Sequence, residues 1–349
     1  MLEVVIRPGP KAEIIGSDIP IPRDNQVVIK VVVSGSNPKD WKVPEWRGTT
    51  INQGDDIAGI VYQVGKNVTE FKPGDRVAAF HEMMAPGGSY AEYAVAWADS
   101  TFHIPAKVTF EEAATIPLAG MTAAVGLFSR LQLPDPWTPA QSPIPLIVYG
   151  GSTAVGSFAL KLAARANIHP LIVVAGSGAS HVETLIDRSK GDTIVDYRNG
   201  DDAVVEGIKN ALRTSGHESV KYVFDAVSEK GSIQNIAKVL DPHGKATFVL
   251  PYKDAENAYP ETASLSLTMV GSVHGQGTEG HGDRDLGYVY FRYFGKGLTE
   301  GWFTGHPYEV RKGGLEGVEA ALQDLKDGKA SAVKYVFRIR DTPGLEAAK

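Results

Sequence analysis

Residues 144–165 read IPLIVYGGSTAVGSFALKLAAR. The run at 146–149 is short, apolar and rich in β-branched residues, so it reads as a buried strand. Glycines come next at 150 and 151, and then Val155, Phe158, Ala159, Leu162 and Ala163 recur at helical spacing. Strand, tight turn and helix open a βαβ unit. Such a turn delivers its ligand to a helix N-terminus, where unpaired amides and the helix dipole favour a phosphate. The candidate contacts are Gly151, Ser152, Thr153, Ala154 and Val155, with the hydroxyls of Ser152 and Thr153 as extra donors. Gly156 lets the helix approach the strand. The spacing is G-x-x-T-x-x-G over Gly150, Thr153 and Gly156, not the G-x-G-x-x-G of a dinucleotide fingerprint. By itself the turn therefore leaves open a glycine bend that binds nothing.

The alternation of elements beyond the turn argues for a nucleotide-binding domain. Strands are expected at 170–175, 193–196, 222–226, 246–250 and 268–273, and helices at 154–166, 181–189, 201–214 and 232–240. Asp241-Pro242-His243-Gly244 reads as a turn. Six strands linked by helices form one doubly wound, parallel α/β sheet. The N-terminal third differs. The β-branched run at 27–33 ends in Ser34-Gly35-Ser36-Asn37-Pro38, and short apolar runs at 57–65, 76–80 and 90–95 are separated by glycine turns. Short strands without a long helix suggest a β-rich, barrel-like domain. Thr109-Phe110-Glu111-Glu112 has the form of a capping box, opening helices broken near Pro117. A loop with five prolines spans 133–145. Beyond 280, Tyr288, Tyr290, Phe291, Tyr293, Phe294, Trp302 and Phe303 either line an apolar wall or form core. A helix at 315–327 and a strand at 334–339 most simply rejoin the first domain. The division expected is 1–120 with 285–349, and 121–284.

Composition fits two soluble domains: 349 residues, 43% hydrophobic and 22% charged. There is no run of about 18 apolar residues to span a bilayer, and no apolar signal core is read at the N-terminus. A formal net charge of −6 argues against a nucleic-acid partner. The chain has no cysteine, which removes thiolate chemistry and Cys-bound metals and fits a reducing cytoplasm. Its nine histidines form no H-x-x-x-H pair, so no catalytic metal is expected.

Taken together, these pieces resemble the medium-chain dehydrogenase/reductases over almost the whole chain. The resemblance rests on Asn37-Pro38-x-Asp40, Gly54-Asp55-Asp56-Ile57-Ala58-Gly59, Val64-Gly65, Lys72-Pro73-Gly74-Asp75-Arg76-Val77, Gly88-Ser89-Tyr90-Ala91-Glu92-Tyr93, Thr122-Ala123 and Phe224-Asp225-Ala226-Val227, in that order. It implies a Rossmann domain beside a GroES-like substrate domain. Zinc-dependent members carry a Cys near 34–36 and G-H-E where this chain has Gly54-Asp55-Asp56, so the resemblance is to the zinc-free branch. Asn-Pro-x-Asp-Trp-Lys with Gly-Gly-Ser-Thr-Ala resembles fungal trans-acting enoyl reductases and their quinone-reductase-like cousins. The quinone reductases' A-x-x-G-x-x-G is here Gly150-x-x-Thr153-x-x-Gly156.

The resemblance implies a nicotinamide cofactor. An NAD site usually has an acid about 20 residues past the glycine turn. Here 174–181 reads VAGSGASH, without a carboxylate. Ser177 and Ser180 can donate to a 2′-phosphate, and Tyr197-Arg198 resembles the family position near that phosphate, so NADPH is expected. The other reading makes 176–180 a solvated loop and Arg198 a surface charge. Val227, just past the fourth strand, and Leu250, the last residue of the fifth, complete the cofactor candidates. Thr122 is placed on the nicotinamide side.

Without a Lewis acid an isolated carbonyl is a poor hydride acceptor, whereas a conjugated C=C–C=O or a quinone delocalises charge onto oxygen. The expected reaction is NADPH-dependent reduction of an activated alkene (an enone or enoyl thioester) or a quinone. Lys42 matches the family's active-site lysine and Asn37 is a candidate amide donor, with a solvated lysine and a turn-former as the plain alternatives. Asp40 is read as ordering the loop. Two other functions stay open, a zinc-independent alcohol or aldehyde oxidoreductase and a non-catalytic NADPH-binding accessory protein. So does a homodimer or a monomer.

Overall fold

The computed structural model describes residues 1–252, 257–275 and 283–345. The chain divides into two units, Met1–Met121 with Gly271–Lys349, and Thr122–Val270. The second unit is built on a six-stranded sheet ordered Thr193–Asp196, Leu171–Ala175, Leu146–Tyr149, Val220–Asp225, Leu240–Phe248, Ser264–Leu267. All its pairings are parallel. Numbered by sequence within the unit, the order is 3-2-1-4-5-6, that of a Rossmann sheet. The central strands are apolar along their whole length because helices cover both faces; Leu146, Ile147, Val148 and Leu171 to Val174 are sealed from solvent. Helix Asp201–Thr214 turns Val204, Val205, Ile208 and Leu212 into that core.

Three features of this unit differ from the sequence reading. The sixth strand is Ser264–Leu267, not 268–273. Ser-Leu-Ser-Leu alternates with the period of a half-buried strand, whereas Val270–His274 winds into a 3₁₀ turn. The helix expected at 181–189 is the short Ala179–Glu183, with a 3₁₀ turn after it at Arg188–Lys190 that Asp187 caps by accepting from the Ser189 amide. The turn read at 241–244 is a bulge inside Leu240–Phe248: Leu240 pairs with Val220 and Lys245 with Tyr222.

In the first unit, strand Gln26–Gly35 is the hub. It pairs antiparallel with Asp56–Val64, Tyr93–Trp97 and the C-terminal Lys334–Arg338. The sheet path runs Tyr308–Val310, Lys334–Arg338, Gln26–Gly35, Asp56–Val64, Arg76–Phe80, Thr101–His103. After the turn that ends at Pro38 comes a helix, Lys39–Arg47, to which the sequence reading assigned no element. Pro44 lies inside it, and the helix ends within a turn of it, at Gly48 in the left-handed region.

The aromatic run at 288–303 belongs largely to helix Asp283–Glu300, and its buried members are core. Phe291 and Phe294 pack on Phe102 with ring centroids 5.8 and 6.3 Å away, and Phe294 stacks on Phe303 at 5.0 Å. The helical run Phe110–Arg130 is long and apolar enough to cross a membrane, but 89% of its most apolar stretch is buried within the protein. It ends in a π-helical segment, Val125–Arg130. There a side chain on Gly126 would collide with the Phe224 ring, 2.1 Å away.

Candidate active site

The glycine turn of the second unit is closed so tightly that side chains cannot replace its hydrogens. A Cβ on Gly150 would lie 2.4 Å from Val227 Cγ2, on Gly151 2.1 Å from Val173 Cγ1, and on Gly156 2.2 Å from the Gly150 carbonyl oxygen. Gly150 also holds φ at +81°, which glycine adopts without strain. The amides of Gly150 and Gly151 both donate to Val174 O, at 2.9 and 3.0 Å, and Thr153 N donates to Gly150 O at 2.9 Å. Thr153 caps helix Ala154–Arg165, its hydroxyl oxygen accepting from Gly156 N at 3.0 Å. That use leaves its O–H proton free to donate. The amides of Ser152, Ala154 and Val155 have no acceptor among the described residues. Free amides at a helix N-terminus, with side chains excluded, fit a pyrophosphate. These residues would hold the nicotinamide dinucleotide that the family implies.

At the next strand end, Ser177 and Ser180 are exposed. The ring of Tyr197, half exposed, covers Gly176: a Cβ there would lie 2.5 Å from Tyr197 Cε1. Arg198 is engaged within its own turn. Its Nε lies 2.9 and 3.0 Å from the two oxygens of Asp196, whose carboxyl the guanidinium holds down at about 2. Ser157 Oγ and His181 Nε2 are 3.2 Å apart. Burial, then the nearby Lys161 ammonium, lowers the His181 pKa. Val227 and Leu250 are half-buried at their strand ends, with Val249 N donating to Ser228 Oγ at 3.0 Å. Thr122 is buried in helix Pro117–Ala124.

The first unit holds a buried network of three acids, two lysines and a histidine. Asn37 is its joint. The Asn37 amide donates to Asp40 Oδ2 at 2.7 Å, its Nδ2 donates to Asp56 Oδ2 at 2.6 Å, and its Oδ1 accepts from Lys334 Nζ at 3.0 Å. Lys334 Nζ also bonds Asp56 Oδ2 at 2.6 Å, and Asp56 Oδ1 accepts from the Leu118 amide at 2.7 Å. Asp40 takes the Tyr90 hydroxyl at 2.6 Å, so it does order the loop. Lys39 lies between two acids: 3.2 Å from Asp40 Oδ1 and paired with Asp55, while donating to Gln53 O at 2.6 Å. Asp55 Oδ1 is 2.9 Å from His81 Nδ1, and His81 Nε2 is 3.2 Å from Pro86 O.

The charges settle unequally. Burial pushes the Asp40 carboxyl up to about 6, with Lys39 opposing the rise. Burial acts on Asp55 in the same direction, but Lys39 and His81 outweigh it and hold that carboxyl low. Lys39 is itself raised, since its two acids overcome the cost of burial. Lys42 is buried on the same helix as Lys39, with its Nζ 5.4 Å from the Trp41 ring centre and 5.9 Å from that of Trp46. It is therefore not the solvated lysine of the plain alternative. The Lys42 amide donates to Pro38 O at 3.2 Å, and the Asp40 amide to Asn37 O at 3.0 Å. Lys39, His81 and Lys334 were missed from sequence, since no local pattern marks their buried acid partners.

Residues 23–106 match the alcohol dehydrogenase GroES-like domain. A putative zinc-dependent alcohol dehydrogenase from Rhizobium etli CFN 42 superposes with a TM-score of 0.81 at 21% identity, covering 97% of this chain and 98% of that one. The CurK enoyl reductase superposes at 0.73 and 20% identity, over 96% and 98% of the two chains. Those likenesses are of fold. The trans-enoyl reductase fsr4 of Gibberella fujikuroi is 48% identical over 322 residues, 91% of this chain and 92% of its own length. The fold and the site thus define an oxidoreductase of the medium-chain dehydrogenase/reductase class, which takes a nicotinamide cofactor and a small-molecule substrate. Within that class the chain belongs to the trans-enoyl reductase family.

Proposed function

We propose that this enzyme reduces the C=C bond of a conjugated carbonyl compound, an enoyl thioester or enone, with NADPH and without a metal; a quinone shares the same delocalised acceptor. The observation that carries the reading is the 48% identity to a protein named as a trans-enoyl reductase, over nine-tenths of both chains. The turn at Gly150–Gly156 supports it, as does the absence of a carboxylate at 176–182, where an acid would repel a 2′-phosphate. When bound, the reduced nicotinamide supplies the hydride. The chain's own residues bind and orient. Ser152, Ala154 and Val155 offer amides to the pyrophosphate, and Ser177 and Ser180 offer hydroxyls to the 2′-phosphate. Lys42, near the indoles of Trp41 and Trp46, presents its ammonium to the acceptor carbonyl. Asn37 has one Nδ2 hydrogen left for a ligand once Asp56 has taken the other. A cysteine-free chain fits the cytoplasm, which we propose as its location.

The test is side-by-side turnover of a crotonyl thioester, a benzoquinone and a simple aldehyde, each with NADPH and NADH. Alkene reduction faster with NADPH is expected. Turnover of the aldehyde alone would favour an alcohol or aldehyde oxidoreductase, and cofactor binding without any turnover an accessory protein. Lys42→Met, which keeps the packing near the tryptophans, is expected to lower kcat by roughly 100-fold.

A further inference from the structure

His274 closes the 3₁₀ turn Val270–His274 and stacks on Phe80, with ring centroids 4.8 Å apart. Phe80 is the strand partner of Asp56, so the imidazole sits beside the strand ends that carry the buried acids. Both ring nitrogens are shut off from solvent, and neither has a hydrogen-bond partner among the described residues. A neutral imidazole offers one N–H and one lone pair. Leaving both unmade in a buried place costs on the order of 1–3 kcal/mol for each group. Groups of this kind call for a specific explanation. Here the ring stays uncharged: burial pushes its pKa down to about 4, with Glu82 and Asp55 pulling upward and His81 and Arg284 downward. It lies close enough to the His81–Asp55 pair to feel both.

We propose that His274 is a substrate-binding residue whose neutral N–H donates to the carbonyl oxygen of the conjugated acceptor. The inference rests on the enoyl reductase reading and adds a contact to it. As hydride arrives at the β-carbon, the alkene electron pair shifts toward the carbonyl and an enolate oxygen forms. The α-carbon then takes a proton from water. A hydrogen bond aimed at that oxygen gains strength as the charge develops, and a neutral donor keeps its own proton in doing so. Glu82, His81, Asp55 and Arg284 set the field around the ring, and none of them occupies its nitrogens.

His274→Phe keeps the stack on Phe80 and removes both unmade polar groups, so its melting temperature is expected to equal or exceed that of wild type. NADPH affinity should be unchanged, while kcat/KM for crotonyl-N-acetylcysteamine falls roughly 100-fold. His274→Asn, which restores a donor, should recover part of the loss. A folded His274→Phe enzyme with kcat/KM within twofold of wild type would overturn the inference and leave the enoyl reductase reading intact. A wild-type enzyme inert toward the thioester would end both. Should the variant fail to fold, ¹⁵N-histidine spectra of the wild-type enzyme decide. Saturation with butyryl-N-acetylcysteamine should move the His274 ring nitrogen resonances, and unmoved resonances would sink the assignment.

Discussion

Lys334 Nζ lies 2.6 Å from Asp56 Oδ2, joining residues 278 positions apart in a place neither shares with solvent. The strand that opens with Lys334 is brought there by pairing with the end of Gln26–Gly35. Breaking a buried pair from one side strands the other charge. Lys334→Met should therefore destabilise the protein by about 3 kcal/mol, read from the urea midpoint. The double variant Lys334→Met, Asp56→Asn should regain most of that loss. If the single variant unfolds at the wild-type midpoint, the pair carries no stability.

Gly156→Ala is expected to be far more harmful than its one methyl suggests. The new carbon would sit 2.2 Å from the Gly150 carbonyl oxygen, a backbone atom fixed by the strand behind it. The helix must back away from the turn, which spoils the free amides at its N-terminus. NADPH binding, monitored by nucleotide fluorescence, should weaken at least roughly 100-fold, because the pyrophosphate depends on close backbone approach at such turns. Gly16→Ala, with nothing within 4 Å of the added carbon, serves as the silent control.

How far the chain could be read from its sequence depends on the range of the forces involved. Leu146–Tyr149 and Asp201–Thr214 could be read to the residue, because a continuous apolar run and an amphipathic repeat are set by neighbours in the chain. The strand at Ser264–Leu267 has only a four-residue alternation for its signal, whereas the β-branched Thr268, Val270 and Val273 after it have the local propensity of a strand but flank or lie in a 3₁₀ turn. The joint at Asn37 was visible as a motif, though its partners were not. Asp56 and Lys334 reach it, and Tyr90 reaches the neighbouring Asp40, through tertiary pairing, which no local pattern encodes. Lys39 carries no local signal of its own, and only the fold places it between Asp40 and Asp55.

The exposed Ser177 gives the cofactor preference a direct test. Ser177→Asp places a carboxylate where a 2′-phosphate is proposed to sit, and like charges at close range repel. NADPH affinity should fall about tenfold or more while NADH affinity changes little. Arg198 adds a second arm. Asp196 stays ionised at neutral pH, with its carboxyl held at about 2, and keeps the guanidinium engaged. Asp196→Asn should release it and raise the NADPH-to-NADH affinity ratio by about two- to fivefold, a small effect because the pair is solvated. Titration of each variant with both nucleotides reads the outcome; equal loss for both in Ser177→Asp would remove Ser177 from the phosphate site.

Asp225, at the end of the central strand Val220–Asp225, makes stability depend on pH in a way opposite to a paired surface acid. Burial pushes its carboxyl up to about 6 from 3.8, and bonds from Ser232 Oγ, Ser228 N and Val227 N at 2.6, 2.8 and 2.9 Å restrain the rise. A folded-state pKa above the unfolded one means that the native protein holds the proton more tightly. The stabilisation is therefore full below pH 3.8 and is lost as pH rises through 6. At about 1.4 kcal/mol per pKa unit, the loss is on the order of 3 kcal/mol. Asp225→Asn keeps an oxygen for the two amides, and Ser232 can turn to accept from the new Nδ2. The unfolding free energy of the variant relative to wild type should thus grow by about 2 kcal/mol between pH 4.5 and 7.5. Denaturant titrations of both proteins across that interval measure it, and a difference flat with pH would mean that the carboxyl titrates as it does in water.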